Sequence, residues 1–182
     1  MSLESTIQNP NILSIRKVIP EDLTLLRNIS IQTFLETYGC YNTEENLALY
    51  FSNNLSEETL KGQIDSIETD YFFVLKDDVP AGFIKIGLKN NPIQKSKEKE
   101  IEIERIYILN DFQGFGAGNF LLEYTESIAK SKGITQIWLG VWKKNLKAQE
   151  FYFRKGFTQI GEHDFWLGKD RQRDFILIKS IE

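Results

Sequence analysis

Apolar and polar residues alternate along several short stretches of the chain, which is the pattern of strands that bury one face. The alternation is clearest over 101–109, where isoleucine recurs between polar residues. The same signal, or a short apolar run, predicts further strands at 14–19, 71–75, 82–86, 136–141, 157–165 and 174–179. Asp77 and Asp78 predict a tight turn that joins 71–75 to 82–86 as a hairpin.

Apolar residues at helical spacing predict helices between these strands. Pro20 and the two acids after it open the first helix, which runs to about Tyr38. Asn42 and Glu45 resemble a capping pair for a second helix that ends near residue 51. Three more helices are predicted: one from Ser56 to about residue 66, one from the glycine-rich stretch to Lys132, and one over 146–155 that Asn145 can cap.

This order of elements is a mixed α/β (α+β) layer architecture and not an alternating, doubly wound one. With 182 residues, of which 41% are hydrophobic, the chain is long enough to bury a sizeable core in one unit. We therefore expect a single domain over 1–182, with a flexible tail at 1–13. The polar, lysine-rich stretch 89–99 is predicted to connect two strands of one sheet.

Charge and cysteine content narrow the function classes. A formal net charge of -4 argues against a nucleic-acid surface and mildly favours a cationic partner, although ordinary acidity is the better explanation of net charge alone. Cys40 cannot form an internal disulfide, which suits a cytoplasmic location. No run is long enough for a membrane span, and the N-terminus lacks a signal-peptide core. His163 and Cys40 are too isolated to suggest a metal site.

The stretch 110–118 follows the clearest strand and contains glycine at 114, 116 and 118. Glycines let the backbone approach a ligand closely, and the start of the next helix presents unpaired N–H groups. Together these features indicate an anion site, most simply for phosphate, unless the glycines only serve a strand-to-helix turn.

Two nucleotide-binding motifs do not fit this turn. A dinucleotide fingerprint requires a third glycine where Asn119 stands, and an acidic residue at the end of the following strand, which continues here into 142–144. A Walker loop requires Gly-Lys-Ser/Thr at its end, which is absent.

The pattern that fits is Gln-x-x-Gly-x-Gly, formed by Gln113, Gly116 and Gly118. Followed by a strand, an asparagine-led helix and Tyr152, it resembles the GNAT acyl-CoA N-acetyltransferase superfamily. Segments over nearly the whole chain resemble the PaiA-type bacterial polyamine acetyltransferases, and they are 33–37, 102–108, 113–118, 137–143 and 161–165.

The resemblance implies a mostly antiparallel sheet of about seven strands, splayed where acetyl-CoA lies between the strand ending at Leu109 and the strand starting at Gln136. Backbone groups would bind the pantetheine arm, and the turn would hold the pyrophosphate. The face of the last helix that carries Asn145, Ala148 and Tyr152 would also contact the cofactor, with Asn145 at the pantetheine. The cofactor-binding residues implied are Ile106, Tyr107, Ile108, Gln113, Gly114, Phe115, Gly116, Ala117, Gly118, Asn119, Asn145, Ala148, Tyr152 and Lys155.

One departure from the family concerns charge in the turn. Many members carry basic residues where Gly114, Phe115 and Asn119 stand here. Neutralisation of the pyrophosphate then falls on backbone amides and on nearby lysines, for which the candidates are Lys143, Lys147 and Lys155.

Three residues are expected to be catalytic. Tyr152 would point its hydroxyl at the sulfur and help the thiolate leave, unless it is only a core residue of 151–153. Glu102 and Glu104 lie on one strand face, where mutual repulsion and desolvation would raise a carboxylate pKa, so that one of them, with Glu104 first, takes the amine proton. The alternative is a solvated face on which Arg105 and lysines partner both carboxylates.

The resemblance also implies where the acceptor binds, because the family places the loop after the first helix over the acceptor site. The expected substrate-binding residues are Phe34, Glu36, Tyr38, Tyr41, Asn42 and His163. This aromatic and acidic set suits a polyamine through charge and cation–π contact, although each can equally serve packing or capping. Phe165 and Trp166 are further candidates for the far wall, beside His163.

The sequence thus predicts an enzyme that moves acetyl from acetyl-CoA directly to a primary amine, foremost a polyamine such as spermidine or spermine. No acyl-enzyme is expected, because Cys40 lacks a base partner. The alternatives are another small amine, a protein N-terminus, or a CoA-binding regulator without turnover. We expect a small-molecule amine partner, no metal, no nucleic acid and no membrane, with a homodimer as one option.

Overall fold

The computed structural model describes residues 12–94 and 99–182. Its strands and α-helices, in chain order, are β1 (Leu13–Lys17), α1 (Leu23–Tyr38), α2 (Glu44–Asn54), α3 (Glu57–Ile64), β2 (Thr69–Lys76), β3 (Val79–Lys89), β4 (Glu100–Ile108), α4 (Ala117–Ser131), β5 (Gln136–Trp142), α5 (Leu146–Arg154), β6 (Thr158–Leu167) and β7 (Asp170–Ser180). None of the helices in these two ranges is long and apolar enough to span a membrane.

The strands form one sheet in the order β1-β2-β3-β4-β5-β7-β6. Neighbours are antiparallel except β4 and β5, which are parallel. This confirms the expected mixed, mostly antiparallel sheet of about seven strands flanked by helices. The two strands that α4 connects are therefore the ones that run side by side in the same direction.

The pairing between β4 and β5 is short. It runs from Ile101 opposite Ile137 to Ile103 opposite Leu139 and then stops, although β4 continues to Ile108. A β-bulge coincides with this point, because Ile103 pairs with Ile86 of β3 while Arg105 pairs with Lys85, which leaves Glu104 as the extra residue. The bulge bends β4, and beyond it the two strands lie apart.

The sheet buries both faces. On one face, Ile84, Ile103 and Leu121 belong to a core between the sheet and the helices α4 and α5. On the other face, Leu26 and Phe83 belong to a second core beneath α1, α2 and α3. The bulge changes which side chains face which core, so that the gap between β4 and β5 opens between the two layers of helices.

Most predicted boundaries agree with the structure. Asn145 caps α5 as expected, with its Oδ1 accepting from the N–H of Ala148 at 3.1 Å, and Ser56 caps α3 in the same way. The Asp77-Asp78 turn is also confirmed, and both residues have the positive φ that tight hairpins require.

Two predicted boundaries were wrong. The cap of α2 is Thr43 and not Asn42, because the Thr43 hydroxyl accepts from the N–H of Asn46, while the Asn42 amide donates to the carbonyl of Tyr38. Strand β7 begins at Asp170, before the predicted 174, because its first residues pair with β6 across a tight hairpin. Of the predicted tail at 1–13, residues 1–11 lie outside the described residues. Residues 95–98 of the predicted connection at 89–99 lie outside them as well.

Candidate functional site

A cavity of about 590 Å³ occupies the gap between β4 and β5. Its walls come from the end of α1, from β4 beyond the bulge, from the glycine turn with the start of α4, and from α5. Of the residues expected to bind the cofactor, all except Phe115 and Lys155 line it. The fold therefore brings most of the expected cofactor-binding residues, which are spread over almost 50 positions of the chain, to the wall of one cavity.

The glycine turn closes one end of the cavity. Gly114 and Gly116 have φ of +86° and +83°, and Gly116 is the residue that precedes the first turn of α4. A Cβ at either position would contact nothing, so these glycines are required by backbone conformation and not by protein packing. The N–H groups that start α4 face the cavity beside them, which is the arrangement that binds anions.

Gln113 joins the end of β4 to α5. Its Nε2 donates to the carbonyl of Ile108 at 3.2 Å, and its Oε1 accepts from Lys147 Nζ at 2.6 Å. Lys147 lines the cavity, and so does Arg154, which lies two helical turns further along the same face. Arg154 was missed, although the seven-residue spacing from Lys147 was the signal that could have found it.

The other two lysines proposed for charge neutralisation lie elsewhere. Lys143 forms an ion pair with Glu162 of β6 at 2.7 Å. Lys155 follows the last residue of α5 and does not line the cavity. Phe115, the other expected cofactor-binding residue that does not line it, lies in the turn with its ring under the Lys76 ammonium.

Three tyrosines meet at the middle of the cavity wall. Tyr152 is buried, and burial, with Tyr38 nearby, raises its pKa well above the usual value. Burial likewise raises the pKa of Tyr38 to about 12, and Tyr38 accepts a 3.5 Å hydrogen bond from the hydroxyl of Tyr107. All three hydroxyls therefore keep their protons near neutral pH and can donate hydrogen bonds.

Glu102 and Glu104 lie on one face of β4, as predicted, but two lysines of β3 meet them there. Lys85 Nζ lies 2.7 Å from Glu104 Oε2, and Lys89 Nζ lies 3.0 Å from Glu102 Oε2 and 3.2 Å from Glu104 Oε2. Two cations thus balance two carboxylates. The pairing was not expected in detail because Lys85 and Glu104 are brought together only by the register of β3 against β4.

The two carboxylates titrate differently. Desolvation raises the pKa of Glu102, and the Lys89 contact only partly opposes it. Desolvation acts on Glu104 as well, but its contacts with Lys85 and Lys89 outweigh it and lower the pKa of that carboxyl. Of the two, only Glu104 lines the cavity.

The predicted acceptor residues fall into two groups. Glu36 and Tyr38 line the cavity at the end of α1. Phe34 is buried with its ring stacked on Tyr50 at 4.3 Å, and Tyr41 packs edge-on against Trp142.

The remaining acceptor candidates surround the cavity rather than line it. Asn42 bridges the end of α1 to β7, since it also accepts from Gln172. His163 lies over Gly140 of β5, which does line the cavity. Phe165 packs near Tyr50, and Trp166 is largely exposed. Within 12–94 and 99–182, no group of three His, Cys, Asp or Glu side chains is arranged to hold a metal ion.

Similarity to known proteins points to one family. Residues 31–157 match the Acetyltransferase (GNAT) family. The chain is 34% identical to the "Uncharacterized N-acetyltransferase in pepI 3'region" of Lactobacillus delbrueckii subsp. lactis, over 93% of this chain and 98% of that relative. It is 26% identical to the spermidine N(1)-acetyltransferase of Thermoplasma acidophilum, over 93% and 98% of the two chains.

Solved structures agree. The crystal structure of PaiA N-acetyltransferase from Thermoplasma acidophilum in complex with coenzyme A superposes with a TM-score of 0.75 at 25% identity, covering 93% of this chain and 99% of that one. The ribosomal-protein-S18-alanine N-acetyltransferase of Escherichia coli shares the fold, with a TM-score of 0.66 at 18% identity over 94% and 95% of the chains.

The Glu104–Lys85 contact should be measurable as stability. Glu104→Gln leaves the Lys85 ammonium, which is 5% exposed, without its main counter-charge, so the free energy of unfolding at pH 7 should fall by about 2 kcal/mol. Urea unfolding measures this. Lys85→Met combined with Glu104→Gln should recover most of the loss.

Glu45→Gln is the matched control, because Glu45 forms an exposed pair with Lys169 and should leave stability nearly unchanged. A Glu104→Gln protein as stable as the unaltered protein would show that the buried pair contributes nothing.

Proposed function

The chain belongs to the GNAT acetyltransferase family and is an acetyl-CoA-dependent N-acetyltransferase, and from this premise we propose that its acceptor is a polyamine such as spermidine. The observation that carries the proposal is Glu36. Its carboxylate lines the cavity and accepts hydrogen bonds from the N–H of Asn110 and the amide of Gln32, yet it has no cationic partner among the described residues. A cationic acceptor would supply one.

Acetyl-CoA fits the cavity on two grounds. Beyond Ile103 the edge of β4 has no strand partner, so its backbone groups at 106–108 can pair with the amide groups of a pantetheine arm. The glycine turn then lies where the pyrophosphate would sit, with the N–H groups that open α4 directed at it.

Two basic residues of α5 supply positive charge for the pyrophosphate of the cofactor. The turn itself carries no basic residue, but Lys147 and Arg154 both border the cavity next to it. These two cations take the place of the basic residues that many family members have in the turn. Gln113 orients Lys147 through the 2.6 Å hydrogen bond, so the cation is held at the turn rather than free in solvent.

Tyr152 acts on the leaving sulfur in this proposal. A thiolate with a conjugate acid of pKa about 8.5 is stabilised by a nearby hydroxyl donor. Since burial raises the pKa of Tyr152, its hydroxyl stays protonated and donates a hydrogen bond to the sulfur as negative charge develops there. A CoA-binding regulator would not need this group.

The carboxylates on β4 serve mainly to set the field on the acceptor side. Glu104 is held by Lys85, so its lowered pKa makes it a weak proton acceptor near neutral pH. Glu102, with its raised pKa, is the better base of the two. The aromatic rings of Tyr38 and Trp142, which pack together at 5.6 Å, offer a surface for the methylene segments of a polyamine.

The relatives support the choice of acceptor without deciding it. The spermidine N(1)-acetyltransferase of Thermoplasma acidophilum is similar over 93% of this chain, whereas the name of the Lactobacillus delbrueckii relative states no acceptor and that of the Escherichia coli structure states a protein acceptor. The single domain, the cytoplasmic location and the homodimer stay predictions from the sequence.

Tyr152→Phe should lower kcat by roughly 100-fold, within the range of general acids, while the Kd for acetyl-CoA changes little. Tyr124→Phe is the matched control, because Tyr124 packs on Phe72 away from the cavity. Steady-state release of free thiol gives kcat, and calorimetry gives the Kd. Unchanged turnover in Tyr152→Phe would assign this tyrosine to packing alone.

The acceptor is tested with an amine panel. At low ionic strength, kcat/KM for spermidine should exceed that for a monoamine of similar length by about tenfold, which corresponds to about 1.4 kcal/mol of transition-state stabilisation. Added salt should narrow the ratio, because exposed charges are screened within about 8–10 Å. Glu36→Gln should narrow it too, whereas Glu45→Gln should not.

Equal kcat/KM values for spermidine and the monoamine at low salt would refute the proposal that the acceptor is a polyamine. If a peptide N-terminus reacts best in the panel, the acceptor is a protein instead.

A further inference from the structure

A histidine–aspartate pair borders the cavity from the acceptor side. His163 of β6 and Asp174 of β7 are opposite each other in the strand register, and His163 Nε2 lies 3.7 Å from Asp174 Oδ2. Both side chains extend over Gly140 of β5, where a Cβ would lie 3.0 Å from the imidazole nitrogen and 3.4 Å from the carboxylate oxygen. Only glycine at this position leaves room for the imidazole and the carboxylate above β5. Gly140 is itself part of the cavity wall.

Polar atoms on this face lack partners. His163 Nε2 and Asp174 Oδ1 are buried and make no hydrogen bond with the described residues, and the same holds for Trp138 Nε1. Trp138 is 4% exposed and precedes Gly140 by two residues, so it projects to the same face of β5. Buried polar atoms are nearly always paired, and these three unpaired atoms on one face of β5, β6 and β7 indicate a place made for a polar ligand.

We propose that His163 Nε2 takes the proton from the attacking ammonium of the acceptor, and that Asp174, whose Oδ2 lies 3.7 Å from the same nitrogen, stabilises the imidazolium that forms. The proposal rests on amine acetylation and not on the acceptor being a polyamine. The attacking nitrogen would lie in the gap beside Gly140, within reach of the imidazole Nε2. Trp138 Nε1 would donate to a water molecule beside it.

The step balances as follows. The ammonium gives one proton to the neutral imidazole, and the freed lone pair forms the new C–N bond to the acetyl carbonyl carbon. The C–S bond breaks, and the leaving thiolate, which accepts a hydrogen bond from Tyr152, takes the second nitrogen proton. The imidazolium then returns its proton to solvent, so that each turnover yields one amide, one thiol and one proton.

The charges around His163 suit this role. Its pKa is raised by the contact with Asp174; burial opposes this, while the negative charges of Asp174, Glu102 on β4 and Asp164 on β6 add to it. Lys89, paired with Glu102, is the cation on that side. Among side chains an imidazole titrates closest to neutral pH, which favours it as a base over Glu104 with its lowered pKa.

A purely structural pair between β6 and β7 is the competing explanation, and the chain offers a direct way to separate the two. It contains one histidine, so a protein with labelled histidine gives a single imidazole signal by NMR. Titration of that signal should give a pKa above the usual 6.5, and Asp174→Asn should lower it. Asp164→Asn is the matched control, because Asp164 points to Arg171 and should shift the pKa much less.

Kinetics then decide the role. With whichever amine of the panel reacts best, kcat/KM should rise with pH through the pKa that NMR reports, because neutral imidazole is the active form. The amine itself titrates near 10, which is well separated from this limb. In Asp174→Asn the limb should move to lower pH together with the NMR pKa, and His163→Gln should lower kcat roughly 100-fold and abolish the limb, with the Kd for acetyl-CoA unchanged.

The inference fails if the NMR pKa moves in Asp174→Asn while the kinetic limb stays in place, since the pair would then be structural. It also fails if the limb survives in His163→Gln and moves only in Glu102→Gln, which would make that carboxylate the base. Neither result bears on the polyamine, which depends on the ratio between amines at one pH and not on the pH profile.

Discussion

The parting of two parallel strands is the constraint on which the rest of the structure depends. β4 and β5 are paired only as far as Ile103 and Leu139, and the bulge at Glu104 bends β4 away at that point. Backbone groups beyond it cannot complete the sheet, and buried backbone groups left without partners are costly. A ligand with its own amide groups relieves that cost. The same bend places Glu104 beside Lys85 and sends Tyr107 towards Tyr38.

The gap separates two charged regions that suit two different reactants. Lys147, which is hydrogen-bonded to Gln113, lies beside the turn that opens α4, where the proposal puts the anionic part of acetyl-CoA, and Arg154 lines the same cavity. Glu36 and Asp174 lie on the side of α1 and β7, where a cationic amine would approach. In the proposed arrangement these charges would orient the two reactants before they meet, with Tyr152 beside the thioester. The pairing of Glu102 and Glu104 with lysines leaves the acceptor side less acidic than a count of carboxylates indicates.

The sequence was sufficient for what depends on local pattern. Alternation, glycine placement and the Asn145 cap predicted the run from β4 to α5, and resemblance to a family placed the cofactor residues along it. Long-range register could not be predicted, because no local signal says that Lys85 meets Glu104 or that His163 lies opposite Asp174. The same limit explains Phe34 and Tyr41, whose burial and packing depend on how α1 and α2 cross the sheet.

The central claim is that acetyl-CoA lies in the gap with its pyrophosphate on the turn that opens α4. Gly116→Val and Gly133→Val test it as a matched pair, because both glycines have positive φ, with open space around the missing Cβ, and they mark opposite ends of α4. Each variant carries similar backbone strain, but only Gly116→Val also places a side chain in the turn. Calorimetric titration with acetyl-CoA should show affinity at least about tenfold weaker for a folded Gly116→Val protein and unchanged for Gly133→Val. Equal affinities in both variants would place the pyrophosphate elsewhere.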